Sequence, residues 1–242
     1  MTKRGSLIVD ALEIPTPERR WFELWRDGGV GCVHITLAIW ENARETQSYI
    51  AKYRRVLQEN RDLVELATSG ADIERIAGEG RTAVVFGFQN TAPVEHDIEL
   101  FGAFRDAGVC IMQLTYNLQN YIGAGYWEEK DMGISSRFGR KAIEEMNKLG
   151  ILIDLSHCGE RTTIEGIEQS ARPVSITHAN PREYVGSPTF GAGRLKTTEA
   201  IKLLGQRKGV IGLSPNRHMT KRGVETTLDE FCDMVAWVVD RI

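Results

Sequence analysis

Several features are missing from this sequence, and each absence removes a class of function. The four cysteines, Cys32, Cys110, Cys158 and Cys232, form no C-x-x-C pair, so neither a thiolate zinc site nor a disulfide framework is suggested. They read as reduced thiols in or near a core. There is no basic block: 30 Lys and Arg and 33 Asp and Glu are spread along the chain, for a net charge of −3. That balance argues against nucleic acid or a membrane surface as a partner and favours a small neutral or zwitterionic molecule. No signal peptide or membrane span is expected, because the apolar run in "MTKRGSLIVDALEIP" breaks at Asp10. Cytoplasm is the default location on that reading. Nor is there an internal repeat, a low-complexity segment or a linker, so residues 1–242 are expected to form a single domain whose core the 42% of hydrophobic residues can supply.

What is present is a rhythm. Runs rich in Val, Ile and Leu recur at residues 6–12, 31–39, 82–88, 108–116, 151–157, 173–178 and 209–214, as strands buried on both faces should. Helical patterns lie between them at 41–59, 96–107, 137–149, 160–170 and 197–207, several ending in Gly. Such alternation predicts a parallel α/β protein, either an open doubly wound sheet or a (β/α)8 TIM-type barrel. The first strand, "VDALEIP", is followed by no phosphate-binding glycine motif, and Gln89, Tyr116, His157 and His178 all fall at C-terminal strand ends, where a barrel places its chemistry. The barrel is therefore the expectation. Seven runs leave it one strand short, so the reading expects a barrel truncated after about seven βα units, with an open seam that promotes self-association. A homo-oligomer is left open.

The chemistry centres on "ILIDLSHCGE" and "VSITHANP", two apolar runs that end in His157 and His178. Two neutral imidazoles on neighbouring strands can share one divalent ion and leave positions open for water. From spacing alone, two satisfied polar residues explain the pattern equally well. Asp154 and Ser156 share a strand face and are placed to orient a neighbouring histidine. His34, mid-strand in "CVHITLAI", reads as a core histidine; Trp21, Phe22 and Trp25 read as one packed helix face. Cys158 follows His157 at a strand-to-helix turn, where a thiol can be activated, but it has no clear partner base.

"ILIDLSH", "SITHANPR", and Arg194 in "GRLKTTEAIKLL", preceded by "VVFGFQN" and "IMQLTYN", together resemble the membrane (renal) dipeptidase family, peptidase M19, over nearly the whole chain. The resemblance implies a (β/α)8 barrel and a hydrolase that cleaves dipeptides with two zinc ions bridged by a glutamate. It places His157 and His178 at the histidine positions of the second ion and Arg194 at the arginine that holds the substrate carboxylate. The chain also departs from the pattern. The family's His-x-Asp pair on the first strand corresponds to Leu12 and Ile14, its bridging glutamate to Gln89, and the histidine after its fourth strand to Tyr116, whose hydroxyl can still donate to an oxyanion. The aspartate of its eighth strand would lie beyond Ile242. Asp10 and Glu13 remain on the first strand; Asp10 is expected to point inward, as an oxygen ligand or as a buried hydrogen-bonding residue that supports the site.

The expectation is a metal-dependent hydrolase cleaving a dipeptide or similar small amide with a free carboxylate. It would hold at most one zinc firmly, on His157, His178 and Gln89, with Tyr116 and Arg194 binding substrate. Two alternatives stay open: a barrel that has lost catalysis and binds a small carboxylate, and a lyase or isomerase that works without metal through Tyr116 and a histidine.

Overall fold

The computed structural model describes residues 7–14, 16–134, 136–186 and 191–242. Its strands are β1 (Ile8–Glu13), β2 (Val30–Ala38), β3 (Val64–Leu66), β4 (Thr82–Phe88), β5 (Val109–Gln113), β6 (Leu152–Asp154), β7 (Ser175–Ile176) and β8 (Val210–Ile211). The helices between and after them are α1 (Arg19–Asp27), α2 (Ala43–Glu59), α3 (Gly70–Gly78), α4 (Glu99–Asp106), α5 (Arg137–Leu149), α6 (Glu160–Gln169), α7 (Arg182–Val185), α8 (Thr198–Gln206) and α9 (Leu228–Val239). All strand pairings are parallel, in the order β1-β2-β4-β5-β6-β7-β8. Short β3 pairs with Thr82–Val84, and β5 with Phe86–Phe88, so the two share one edge of β4 while β2 lines the other. The sheet curls, for residues of β1 and of the segment after β8 line one and the same cavity although the two strands are not paired among the described residues. This is the α/β barrel-type fold expected, open between β1 and β8.

Strand alternation divides the core into two layers. Val33, Ile35 and Leu37 of β2 join Phe86 and Phe88 of β4 in the main apolar cluster beneath the helices. There Phe88 meets Phe104 of α4 edge to face, with ring centroids 5.0 Å apart. Each such ring, fully buried, contributes roughly 1.5–3 kcal/mol. The alternate residue His34 faces the interior, donating from Nδ1 to the Ala11 carbonyl at 2.7 Å. It lies over Gly87 of β4, where a Cβ would collide with its ring. His34 is thus a core residue, as expected.

The helices begin where the local sequence supplies caps. Asn42 and Glu45 form a capping box on α2, Thr227 and Glu230 one on α9, and the Ser136 hydroxyl accepts from Gly139 N at the start of α5. Gly150 ends α5 at φ 70°, the left-handed conformation that lets the chain turn straight into β6.

The structure differs from the sequence reading in several places, among them the strands expected over 108–116 and 209–214, which end at Gln113 and Ile211. β3 and α3 were not foreseen, because three residues of strand leave too short a periodic signal. The strands expected over 151–157 and 173–178 end at Asp154 and Ile176. Asp154 Oδ1 accepts the backbone N–H groups of Ser156 (3.2 Å) and Thr177 (2.8 Å), so a side chain replaces the ladder there. Alternation fails along β1: its register shifts between Asp10 and Glu13, and the Leu12 N–H turns back to Asp10 Oδ1 at 3.1 Å. Ser6, the first residue expected in that strand, lies outside the described residues. Finally, Phe22 and Trp25 are buried and pack together, but Trp21 is exposed beneath the Arg20 guanidinium, and Cys232 is exposed rather than in the core.

Candidate functional site

A cavity of about 860 Å³ runs from the C-terminal ends of the strands along the open side of the sheet to Ile8, Val9 and Val30. It brings together Gln89, Tyr116, His157, His178 and Arg194, five residues expected there, with Asp10 and Leu12 also on its wall. Asn117, Tyr126, Trp127 and Thr177 join them. Ile14, expected on the same wall, is 66% exposed instead, because the irregular end of β1 carries it outward.

The imidazoles of His157 and His178 converge, with their Nε2 atoms 2.9 Å apart. Each ring is held from behind. His157 Nδ1 lies 2.7 Å from Asn117 Oδ1, and His178 Nδ1 lies 2.7 Å from the Thr177 hydroxyl. That hydroxyl is 2.8 Å from Asp154 Oδ2, while Asp154 Oδ1 accepts from the Ser156 hydroxyl at 2.7 Å. Asp154 therefore reaches His178 through Thr177, which gives the carboxylate expected to orient a histidine a specific route. Asp10 bonds to its own strand and to neither imidazole, so the supporting role expected of it has no direct contact behind it.

Arg194 lies against the pair rather than across the cavity from it. Its Nη1 donates to Ser156 O (2.9 Å) and its Nη2 to His178 O (2.7 Å), while Nη2 also stands 3.3 Å from His157 Nε2. Lys196 is buried alongside, donating to Cys158 O (2.9 Å) and the Thr163 hydroxyl (2.8 Å). Among the described residues the hydrogen bonds of these two cations go to carbonyls, a hydroxyl and an imidazole, and none to a carboxylate. Burial holds Arg194 down at about 10 and Lys196 at about 8. Burial, then the Arg194 charge, keeps both imidazoles ionising well below the ordinary histidine value. The rings are accordingly neutral at neutral pH, the state that binds metal. Cys158 is pushed up to about 11, chiefly by burial, so it is not an activated thiol.

Tyr116 stacks flat on His157, with ring centroids 4.1 Å apart and planes 21° apart, and Trp40 meets it edge-on at 5.4 Å. Among the described residues the Tyr116 hydroxyl has no hydrogen-bond partner. Gln89 is buried, and its Nε2 is enclosed without a partner.

The donors present would serve at most one metal ion, which would have to complete its coordination from Gln89 and water. Two neutral Nε2 donors aimed at a common point, each ring held at Nδ1, form a chelating pair. The first-strand wall offers Leu12, which cannot ligate, and Asp10, whose Oδ1 is taken by the Leu12 N–H; no cluster of three or more His, Cys, Asp or Glu residues capable of holding a metal occurs among the described residues. Gln89 would add one neutral oxygen, which cannot bridge two cations as a carboxylate does.

Sequence reasoning named the two histidines, Gln89, Tyr116 and Arg194 but passed over Asn117, which stands beside Tyr116 in "LTYN". Its position depends on a backbone with φ 61°, and nothing in its neighbours' identities announces that conformation.

Comparison with known proteins accords with the fold. An amidohydrolase from Pseudomonas aeruginosa superposes with a TM-score of 0.91 at 33% identity, over 98% of this chain and 70% of its own. A metallo peptidase from Rhodobacter sphaeroides, solved with a phosphinate mimic of the dipeptide L-Ala-D-Ala, shares the fold with a TM-score of 0.83 at 13% identity, over 97% of this chain and 82% of its own. The dipeptidase tcpJ of Claviceps purpurea is 26% identical over 205 residues, which are 82% of this chain and 46% of that protein. The chain thus spans about half the length of the curated relatives it matches. The family described as Membrane dipeptidase (Peptidase family M19) matches residues 15–242, and the chain belongs to that family.

Proposed function

We propose that this chain is a hydrolase of dipeptides or similar small amides that carry a free carboxylate, working with one firmly held divalent ion, zinc in the first instance. The observation that carries the reading is the convergence of His157 and His178, Nε2 to Nε2 at 2.9 Å, beside the buried guanidinium of Arg194. Relatives named as dipeptidases, and a fold neighbour holding a dipeptide mimic, support the substrate class.

His157 and His178 hold the ion, with the Gln89 carboxamide as a weak third donor. When bound, the ion supplies Lewis-acid polarisation of an amide carbonyl and acidifies a water. Arg194 presents a guanidinium fixed by two backbone carbonyls to the substrate carboxylate, which orients the amide without a further entropic cost of ordering. Tyr116, its ring fixed between Trp40 and His157, offers an uncommitted hydroxyl to the developing oxyanion.

Chelator-treated protein should not cleave a panel of dipeptides, and adding zinc should restore cleavage. Arg194→Lys should raise KM roughly ten-fold or more with a smaller change in kcat, since Lys cannot reproduce the fork. Zinc-independent cleavage, or an Arg194→Lys effect confined to kcat, would count against the assignment.

One observation favours a second reading, a barrel that binds a small carboxylate without catalysis. Arg194 Nη2, 3.3 Å from His157 Nε2, brings a fixed positive charge to the place where a metal ion would sit. On that reading, chelator-treated protein still binds the dipeptide and zinc adds no turnover.

A further inference from the structure

We infer that Asn117 is a positioning residue that locks His157 in the one tautomer able to bind a metal ion through Nε2. The inference rests on the proposed ion at the imidazole pair only for its consequence; the lock itself belongs to the ion-free chain.

The tautomer follows from the donors. A guanidinium has hydrogens to give and no lone pair to accept with. Arg194 Nη2 lies 3.3 Å from His157 Nε2, so that nitrogen carries the lone pair. The proton of the neutral ring is then on Nδ1, and the atom 2.7 Å away on Asn117 must be the carboxamide oxygen rather than its nitrogen. Arg194 and Asn117 thus define His157 from opposite sides. The Thr177 hydroxyl gives its proton to Asp154 Oδ2 at 2.8 Å, so it faces His178 Nδ1 as an acceptor, and Nδ1 carries that ring's proton. His178 Nε2 then also bears a lone pair, 2.9 Å from that of His157.

The loop after β5 is built to hold Asn117 in place. Asn117 has φ 61°, a left-handed conformation that asparagine adopts more readily than most residues. Its carbonyl accepts from Trp127 N at 2.9 Å, and Tyr126 N donates to His157 O at 3.1 Å. Gly125 lies so close to the Asn117 carbonyl that a Cβ would strike it. Gly125 also bridges to Cys158, the residue after His157, so the loop returns onto the chain it orients.

Cobalt(II) titration of chelator-treated protein, read by its visible absorption, tests the consequence, and nitrogen-15 NMR of His157 tests the lock. Asn117→Gly keeps the left-handed backbone and removes the acceptor; Asn117→Asp keeps an acceptor in the same place. Asn117→Gly should weaken cobalt binding about ten- to hundred-fold, and the His157 Nδ1–H resonance should shift as that proton loses its amide acceptor. Asn117→Asp should bind at least as tightly as the unsubstituted protein. If Asn117→Gly binds cobalt like the unsubstituted protein, or if His157 of the ion-free protein carries its proton on Nε2, the inference is wrong. Should the unsubstituted protein bind no cobalt, the proposed function fails, while the NMR comparison still decides whether the lock exists.

Discussion

At the scale of single residues the site is a problem of buried charge. Arg194 and Lys196 are both nearly inaccessible, and the carboxylate buried closest to them, Asp154, is fully engaged with Ser156 and Thr177. The mouth of the barrel therefore holds an excess of positive charge, which favours an anionic ligand and opposes protonation of the imidazoles. The consequence for stability has a definite sign. In the folded, ion-free chain both histidines ionise well below the ordinary value of 6.5, so below 6.5 the unfolded chain binds more protons. Their contribution is complete above that value and is lost as the pH falls towards the depressed values. Chelator-treated protein should therefore melt at a lower temperature at about pH 5 than at about pH 7.5, and replacing both histidines with Gln should flatten that difference. An unchanged pH dependence in the double variant would mean that other groups carry it.

At the scale of elements, the strands that sequence patterning located well are those whose apolar residues alternate or run unbroken. β2 and β4 lie within a residue of their expected limits because Val33, Ile35, Leu37, Phe86 and Phe88 must be buried under helices. β6 and β7 are far shorter than their apolar runs suggest, since Asp154 takes over the ladder's hydrogen bonds. Alternation along β1 placed Asp10 on the cavity wall as expected but misplaced Ile14, because a side-chain-to-backbone bond at Leu12 breaks the pleat. The loop after β5 was the least legible part of the site: its partners are backbone groups, which any sequence supplies. Its dependence on Gly125 is testable. Gly125→Ala pushes a methyl into the Asn117 carbonyl and should cost about 1–3 kcal/mol in denaturant unfolding, with weaker cobalt binding as the loop withdraws from His157. A change of less than about 0.5 kcal/mol would show that the loop is not packed as tightly as this contact requires.

At the scale of the whole molecule, the curled parallel sheet assembles one mouth from residues far apart in the chain, from Leu12 on β1 to Asn216 beyond β8. The edges of β1 and β8 are unpaired among the described residues, and Ile8, Val9 and Val210 beside them are exposed. No helix among the described residues is long and apolar enough to cross a membrane. The family's fold and the convergence of this chain's two histidines were legible in the sequence because strand ends and histidines are both visible there. Leu12 and Gln89, expected as departures from the family's ligand pattern, both lie on the wall of the cavity that holds the imidazoles. On the proposed function, a single ion follows from the asymmetry between the wall that carries the imidazoles and the wall that carries Leu12 and Asp10, whose Oδ1 is taken by the Leu12 N–H. Zinc stoichiometry on chelator-stripped, zinc-reloaded protein, measured by elemental analysis beside a His157→Ala, His178→Ala double variant, is the most direct test. One zinc per chain, absent from the double variant, is the predicted result; two tightly held zinc ions per chain, or uptake unchanged in the double variant, would contradict it.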